Sequence, residues 1–174
     1  MTQYGDLKGV PLDAYNKCCN ELLRRAQEQL GLPREEIILR DLRSDDLGIT
    51  GKWWFSVTST AGWNTLVNTV SIADNRFICI SGIFTESGVY TTIGTPPVIH
   101  SIRITRAGSV ARWWNIQRVG LQEDHELHVD DPIIVDQNQT ITIEGYNALT
   151  ATATTEEMGF IGCVAEKRGL VINP

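Results

Sequence analysis

The stretch "WWFSVTS", residues 53–59, decides how the rest of the chain reads. In an extended backbone Trp53, Phe55 and Val57 share one side while Trp54, Ser56 and Thr58 share the other. This period-two alternation marks a half-buried strand. It sends Trp53 inward and leaves Trp54 facing out. "SVARWWNIQ" (109–117) divides in the same way. Trp114 goes with Val110 and Ile116 toward the core, although Arg112 and Arg118 share its face, and Trp113 goes outward with Ala111, Asn115 and Gln117.

Downstream of Trp53 the alternating period persists through 65–72, 76–84, 98–106, 109–116, 132–135, 139–146 and 158–166. Turn formers separate these runs: Ala61-Gly62, Asp74-Asn75, Glu86-Ser87-Gly88, Pro96-Pro97, Ala107-Gly108 and Asp136 to Asn138. No helical period intervenes, which excludes βαβ units. The expected class is therefore mainly β, an antiparallel sandwich of the jelly-roll kind. The segment 84–97 reads as a long loop or hairpin, and 150–159 as an exposed loop or edge.

Upstream the period is helical. Leu12, Tyr15, Cys18, Cys19, Leu22, Leu23, Ala26 and Leu30 form one apolar stripe, with Asp13, Asn16, Lys17, Glu21, Arg24, Arg25 and Glu28 opposite. Pro11 suits the first turn, Gly31 the C-terminal cap, and Pro33 forbids continuation. The expected organisation is an N-terminal arm and amphipathic α-helix at 1–35 followed by a sandwich at 36–174, the two forming one unit. Ile37, Ile38 and Leu39 begin it with a short strand.

Two strands are apolar on both sides. In 76–84, Phe77, Cys79 and Ile83 oppose Ile78, Ile80 and Phe84. In 158–166, Met158, Phe160 and Val164 oppose Ile161, Cys163 and Ala165. A sandwich strand ordinarily shows water one face, so either the N-terminal helix or another subunit covers the second. The residues expected at a subunit contact are Trp54, Trp113, Ile78, Ile80, Phe84, Leu22 and Leu23.

Composition bounds the function. The 174 residues bury roughly 70% of their unfolded surface, enough for a core without staples. There are 21 acidic and 15 basic residues, for a formal charge of −6, and the basic ones are scattered. That argues against nucleic acid as a partner. No apolar run reaches membrane-span length, and "MTQYGDLKGV" lacks the features of a signal peptide, so the expectation is a protein made and kept in a cytoplasm. Asn138 in "NQT" then has the pattern of a glycosylation acceptor without the setting for it. Four cysteines at 18, 19, 79 and 163 show no CxxC spacing and read as reduced, small buried hydrophobes, with no disulfide framework or zinc site indicated.

Candidate chemistry is sparse. "QEDHELHVDDP" places Asp124, His125, Glu126, His128, Asp130 and Asp131 within eight positions. They are good ligand types for a divalent ion, but the pattern reads first as a solvated acidic loop over 123–131. His100 shares a face with Val98, Ile102 and Ile104, and reads first as a core or edge residue. Catalytic motifs such as GxSxG, a Walker loop or HExxH do not occur. No catalytic residue and no cofactor is assigned. A cupin-like metal enzyme using His100, His125 and His128 is the second alternative.

The stretch "IRITRAGSVARWWNIQRVGLQEDHELHVDDPIIVDQNQTITIEGYN" with "GFIGCVAEKRGLVI" resembles the β-sandwich structural proteins of virus particles. These include capsid jelly rolls and the decoration or cement proteins of tailed bacteriophages. The shared features are short strands, the "DPIIV" segment, Asn/Gln/Thr-rich turns and a terminal "EKRG" hairpin over residues 102–172. The resemblance implies a non-enzymatic subunit that self-associates, often as a homotrimer or higher, and docks on or builds a shell within a virion assembled in the host cytoplasm. Its partners would be itself and a capsid or other virion protein, with no nucleic acid or membrane. The main alternative is a lectin-like module that stacks Trp54 and Trp113 on carbohydrate.

Overall fold

Helix α1 (Val10–Leu30) ends where the sequence requires. Gly31 adopts φ 65°, and its N–H donates to the Gln27 carbonyl at 2.9 Å. In this computed structural model residues 10–50, 54–86, 98–117, 119, 126–148 and 154–169 are described. Trp53, His125 and most of 84–97 therefore lie outside the described residues. So do 149–153.

Among the described residues nine strands follow the helix: β1 (Ile37–Asp41), β2 (Phe55–Ser59), β3 (Gly62–Ser71), β4 (Arg76–Glu86), β5 (Ile99–Arg106), β6 (Ser109–Asn115), β7 (Glu126–Val135), β8 (Thr140–Asn147) and β9 (Thr154–Lys167). β2, β9, β4 and β7 are neighbours in one sheet; β3, β8, β5 and β6 form the other. All pairings are antiparallel, and most consecutive strands change sheet. Only β5 and β6 are consecutive neighbours within one. This is the strand order of a jelly roll, the kind of antiparallel sandwich expected from the sequence, which does not itself give the order. β1 extends the first sheet by pairing with β9 at residues 163–167, end to end with β2, which pairs at 154–158.

Between the sheets lies the main core. Ile78, Ile80 and Ile83 of β4 and Met158, Phe160 and Val164 of β9 meet Val67, Ile102, Ile104, Trp114, Ile141 and Ile143 of the facing sheet. Alternation places Trp114 in this core and Trp113 outside, and so the structure has them, buried and 58% exposed respectively.

A second core explains the strands that are apolar on both sides. Cys18, Leu22 and Ala26 present one fully buried stripe of α1 to Ile37, Phe77, Cys79, Ile134, Cys163 and Ala165 on the outer face of the five-stranded sheet. The helix supplies the missing cover. Leu22, Ile78 and Ile80 are thus fully enclosed within the chain and are not available to a partner. Leu23 and Phe84 are half-buried, with Leu23 packed on the helix side.

Ile83 faces the core beside Ile78 and Ile80 rather than sharing the side of Phe77 and Cys79. A register shift between Ile80 and Gly82 reverses the alternation there. Close backbone approach makes that possible. A Cβ at Gly162 would lie 1.9 Å from the Cys79 carbonyl oxygen, so no other residue fits without moving the strands.

Three further expectations are corrected. The segment from Thr154 opens β9, which lies between β1/β2 and β4 and is not an edge. The acidic run is strand from Glu126 onward, because Leu127 and Glu126 pair with Ile83 and Phe84 of β4. The cysteines are not all reduced: Cys18 and Cys79 form a disulfide, while Cys19 and Cys163 remain thiols. Their sequence separation of 61 leaves no local spacing to reveal the pairing.

Two polar networks are buried with the apolar groups. Glu166, fully buried, accepts from Arg40 Nε at 2.8 Å and Arg76 Nε at 2.9 Å, and Arg40 also pairs with Asp46 at 2.6 Å. This ties β1, β4 and β9 to the 3-10 turn Ser44–Leu47. Glu156, also buried, accepts from the Thr85 hydroxyl and from the Ile99 N–H at 3.0 Å, joining the two sheets. Burial pushes its carboxyl above the ordinary 4.5, although both hydrogen bonds favour the charged form.

Candidate functional site

The outer face of the sheet β3-β8-β5-β6 carries three exposed aromatic residues, Trp63, Trp113 and Tyr146. Alternation puts Val67, Ile141, Ile143, Ile102, Ile104 and Trp114 inward, a register shift between Thr65 and Val67 adds Leu66 beside Val67, and the intervening positions look out. Register then aligns these outward residues into rows. Trp63 lies opposite Tyr146, Tyr146 opposite Ser101, and Ser101 opposite Asn115. In the adjoining row Thr65 faces Glu144, Glu144 faces Arg103, and Arg103 faces Trp113.

Side chains draw the two rows together. Trp63 and Trp113 approach edge to face with ring centroids 5.1 Å apart, and Tyr146 lies 5.3 Å from Trp63. The Arg103 guanidinium carbon sits 4.4 Å from the Trp63 ring and 5.7 Å from that of Trp113. Arg103 also donates from Nε to Glu144 at 2.8 Å. An ion pair thus lies among three aromatic rings that remain 38% (Trp63), 58% (Trp113) and 38% (Tyr146) exposed. Edge-to-face stacking and cation–π attraction hold the cluster in place before any partner arrives.

Trp54 is exposed but precedes β2 in the other sheet, so it and Trp113 do not form one platform. Trp63, Tyr146, Arg103 and Glu144 are missing from the sequence-based candidates. Their signal was present as outward alternation in β3, β5 and β8. Trp63 is hidden because Ala61-Gly62 reads as a turn, which puts the start of the alternating run at Thr65, whereas β3 opens at Gly62.

His100 and His128 lie in different sheets, and His125 lies outside the described residues. His100 on β5 belongs to the four-stranded sheet, and its Nδ1 lies 3.2 Å from Gln117 Nε2. A register shift between Ile99 and Ser101 removes it from the buried row of Ile102 and Ile104. His128 on β7 belongs to the other sheet and pairs with Glu126 at 3.0 Å. Among the described residues Cys18, Cys79 and Cys163 hold their sulfurs within 4.8 Å of one another, but the Cys18–Cys79 disulfide leaves Cys163 as the one thiol of the three. No described helix is long and apolar enough to cross a membrane.

No family model matches the chain, and no curated protein matches it. Among solved structures it is distantly similar to a virion structure, that of infectious bursal disease virus strain Gx. Identity there is 11%, over 77% of this chain and 33% of the other, with TM-score 0.31. The infectious bursal disease virus VP2 subviral particle gives 10% identity, 75% and 32% coverage, and TM-score 0.30. The chain spans about a third of the length of either. At this level of similarity the question of what the aromatic face binds is carried by its own residues.

Proposed function

We propose that this chain is a non-enzymatic structural protein of a virus particle, acting by self-association and by docking on or within a shell. The observation that carries this reading is the exposed Trp63–Trp113–Tyr146 cluster on the four-stranded sheet. Aromatic rings left wet on a flat sheet face are costly, and Trp, Tyr and Arg are the residue types that dominate the centres of protein interfaces. The jelly-roll order and the sequence texture of residues 102–172 support the virion assignment, since shell proteins are among the users of this fold. A homotrimer or larger cyclic assembly, formed in the host cytoplasm, suits a face of this kind, with a capsid protein as second partner. Light scattering of the wild type against Trp113→Ala tests it. A mass that is a multiple of the chain and falls to the monomer in the variant supports the proposal, whereas a wild-type monomer at every concentration opposes it.

One observation favours carbohydrate as a second reading. Arg103, Glu144, Ser101 and Asn115 surround the rings with hydrogen-bonding groups, as a sugar-stacking face requires and a dry interface does not. Under that reading, intrinsic fluorescence of a monomeric wild type shifts on titration with oligosaccharide and Trp63→Ala abolishes the shift.

A further inference from the structure

All four cysteines of the chain meet where α1 crosses the five-stranded sheet, although they come from three distant segments. Cys18 of the helix is bonded to Cys79 of β4. Cys163 of β9 lies opposite Cys79 in register and holds its sulfur 3.8 Å from Cys18 Sγ. Cys19, next on the helix, is half-buried and hydrogen-bonded with Cys163. The other three are fully buried, beyond direct reach of a reagent in solution. Cys19 instead lines a cleft of about 460 Å³ with Tyr15, Leu39, Arg40, Asp41 and Arg43.

The two thiols have different character. The Cys163 S–H donating to Cys19 holds the Cys19 thiol below its ordinary value, against burial and the Asp41 carboxylate, which act in the other direction. The same hydrogen bond and burial push Cys163 up. A thiolate is the attacking species in disulfide exchange, so Cys19 is the thiol that first meets an external reagent. Cys163 stands between it and the buried bond.

We propose that Cys19 is a modification site for small thiols and disulfides, the entry point of a relay that reduces and re-forms the Cys18–Cys79 bond through Cys163. Cys163 passes its proton to Cys19 and attacks Cys18 Sγ; the Cys18–Cys163 bond forms, the Cys18–Cys79 bond breaks, and Cys79 leaves as a thiolate that takes up a proton. Cys19, again deprotonated, attacks Cys163 Sγ and releases Cys18, leaving a Cys19–Cys163 disulfide at the cleft. An external dithiol then attacks Cys19 Sγ through a mixed disulfide and closes its own ring. It is oxidised by two electrons while Cys19 and Cys163 return to thiols. A small disulfide run through the same steps in reverse restores the original bond. The relay would couple the tether between α1 and the sheet to the surrounding thiol pool, independently of what the aromatic face binds.

Reduction by dithiothreitol in native buffer, quenched by alkylation and followed by peptide mass spectrometry, tests the relay on wild type, Cys19→Ser and Cys163→Ser. Each substitution should slow loss of the Cys18–Cys79 bond by about tenfold or more, because the exchange route is removed. Early wild-type quenches should contain Cys18–Cys163 or Cys19–Cys163 linked peptides. In urea all three proteins should reduce at one rate. Equal native rates overturn the proposal, and so does the absence of the two linked peptides. A wild type that yields four alkylatable cysteines after treatment with oxidised glutathione also overturns it. Cys19 is only half-buried, so Cys19→Ser decides the matter even if Cys163→Ser fails to fold.

Discussion

Arg103 spends its charge three ways: on Glu144, on the Trp63 ring and on the Trp113 ring. Such a residue fixes the shape of a surface more than it stabilises the fold. Trp113→Ala should therefore change the urea-unfolding free energy by no more than about 1 kcal/mol, as is usual for exposed positions, while removing a ring from the proposed contact. Glu156 makes the opposite kind of case. Its folded-state pKa is raised above the unfolded value, so the folded chain holds the proton more tightly. Stability from this group is present below about pH 4.5 and falls as pH rises from there through the raised value, after which it is constant. Glu156→Gln should flatten that part of the pH–stability curve, measured by urea titrations from pH 4 to pH 8 on both proteins. An unchanged slope would show that Glu156 is charged in the fold at all these values.

At the scale of elements, α1 is the cover that lets β4 and β9 be apolar on both sides. Leu22→Ala should cost about 2–5 kcal/mol in urea unfolding, the range for a fully enclosed leucine, and not the smaller loss of a side chain at an open contact. Gly162→Ala should destabilise by about 1–3 kcal/mol or more through overpacking against the Cys79 carbonyl, with the same measurement as readout. The helix was legible because Gly31 and Pro33 punctuate a complete apolar stripe. Most strands were legible from alternation between turn formers. What escaped were features set by distant partners. The shift at Ile80–Gly82 moves Ile83 to the core only because β7 and β9 both accommodate it. β7 begins at Glu126 because β4 offers a pairing edge, although its own acidic composition reads as loop. The Cys18–Cys79 bond joins a helix to a strand that sequence spacing cannot place side by side.

For the whole molecule, the jelly roll leaves one broad sheet face without α1 on it, and that face carries the aromatic cluster. The fold alone does not choose among shell proteins, lectins and metal enzymes, all of which use it. Residues do. The division of Trp113 from Trp114 was visible in the sequence, while the grouping of Trp113 with Trp63, Tyr146 and Arg103 required the register of four strands. Hydroxyl-radical footprinting with mass spectrometry, run across a concentration series, tests the contact role most directly. Trp63, Trp113 and Tyr146 should oxidise readily in dilute protein and become protected together as the chain associates, with Trp54 as an exposed reference in the other sheet. Association that leaves all three rings as reactive as in the dilute chain would contradict the account.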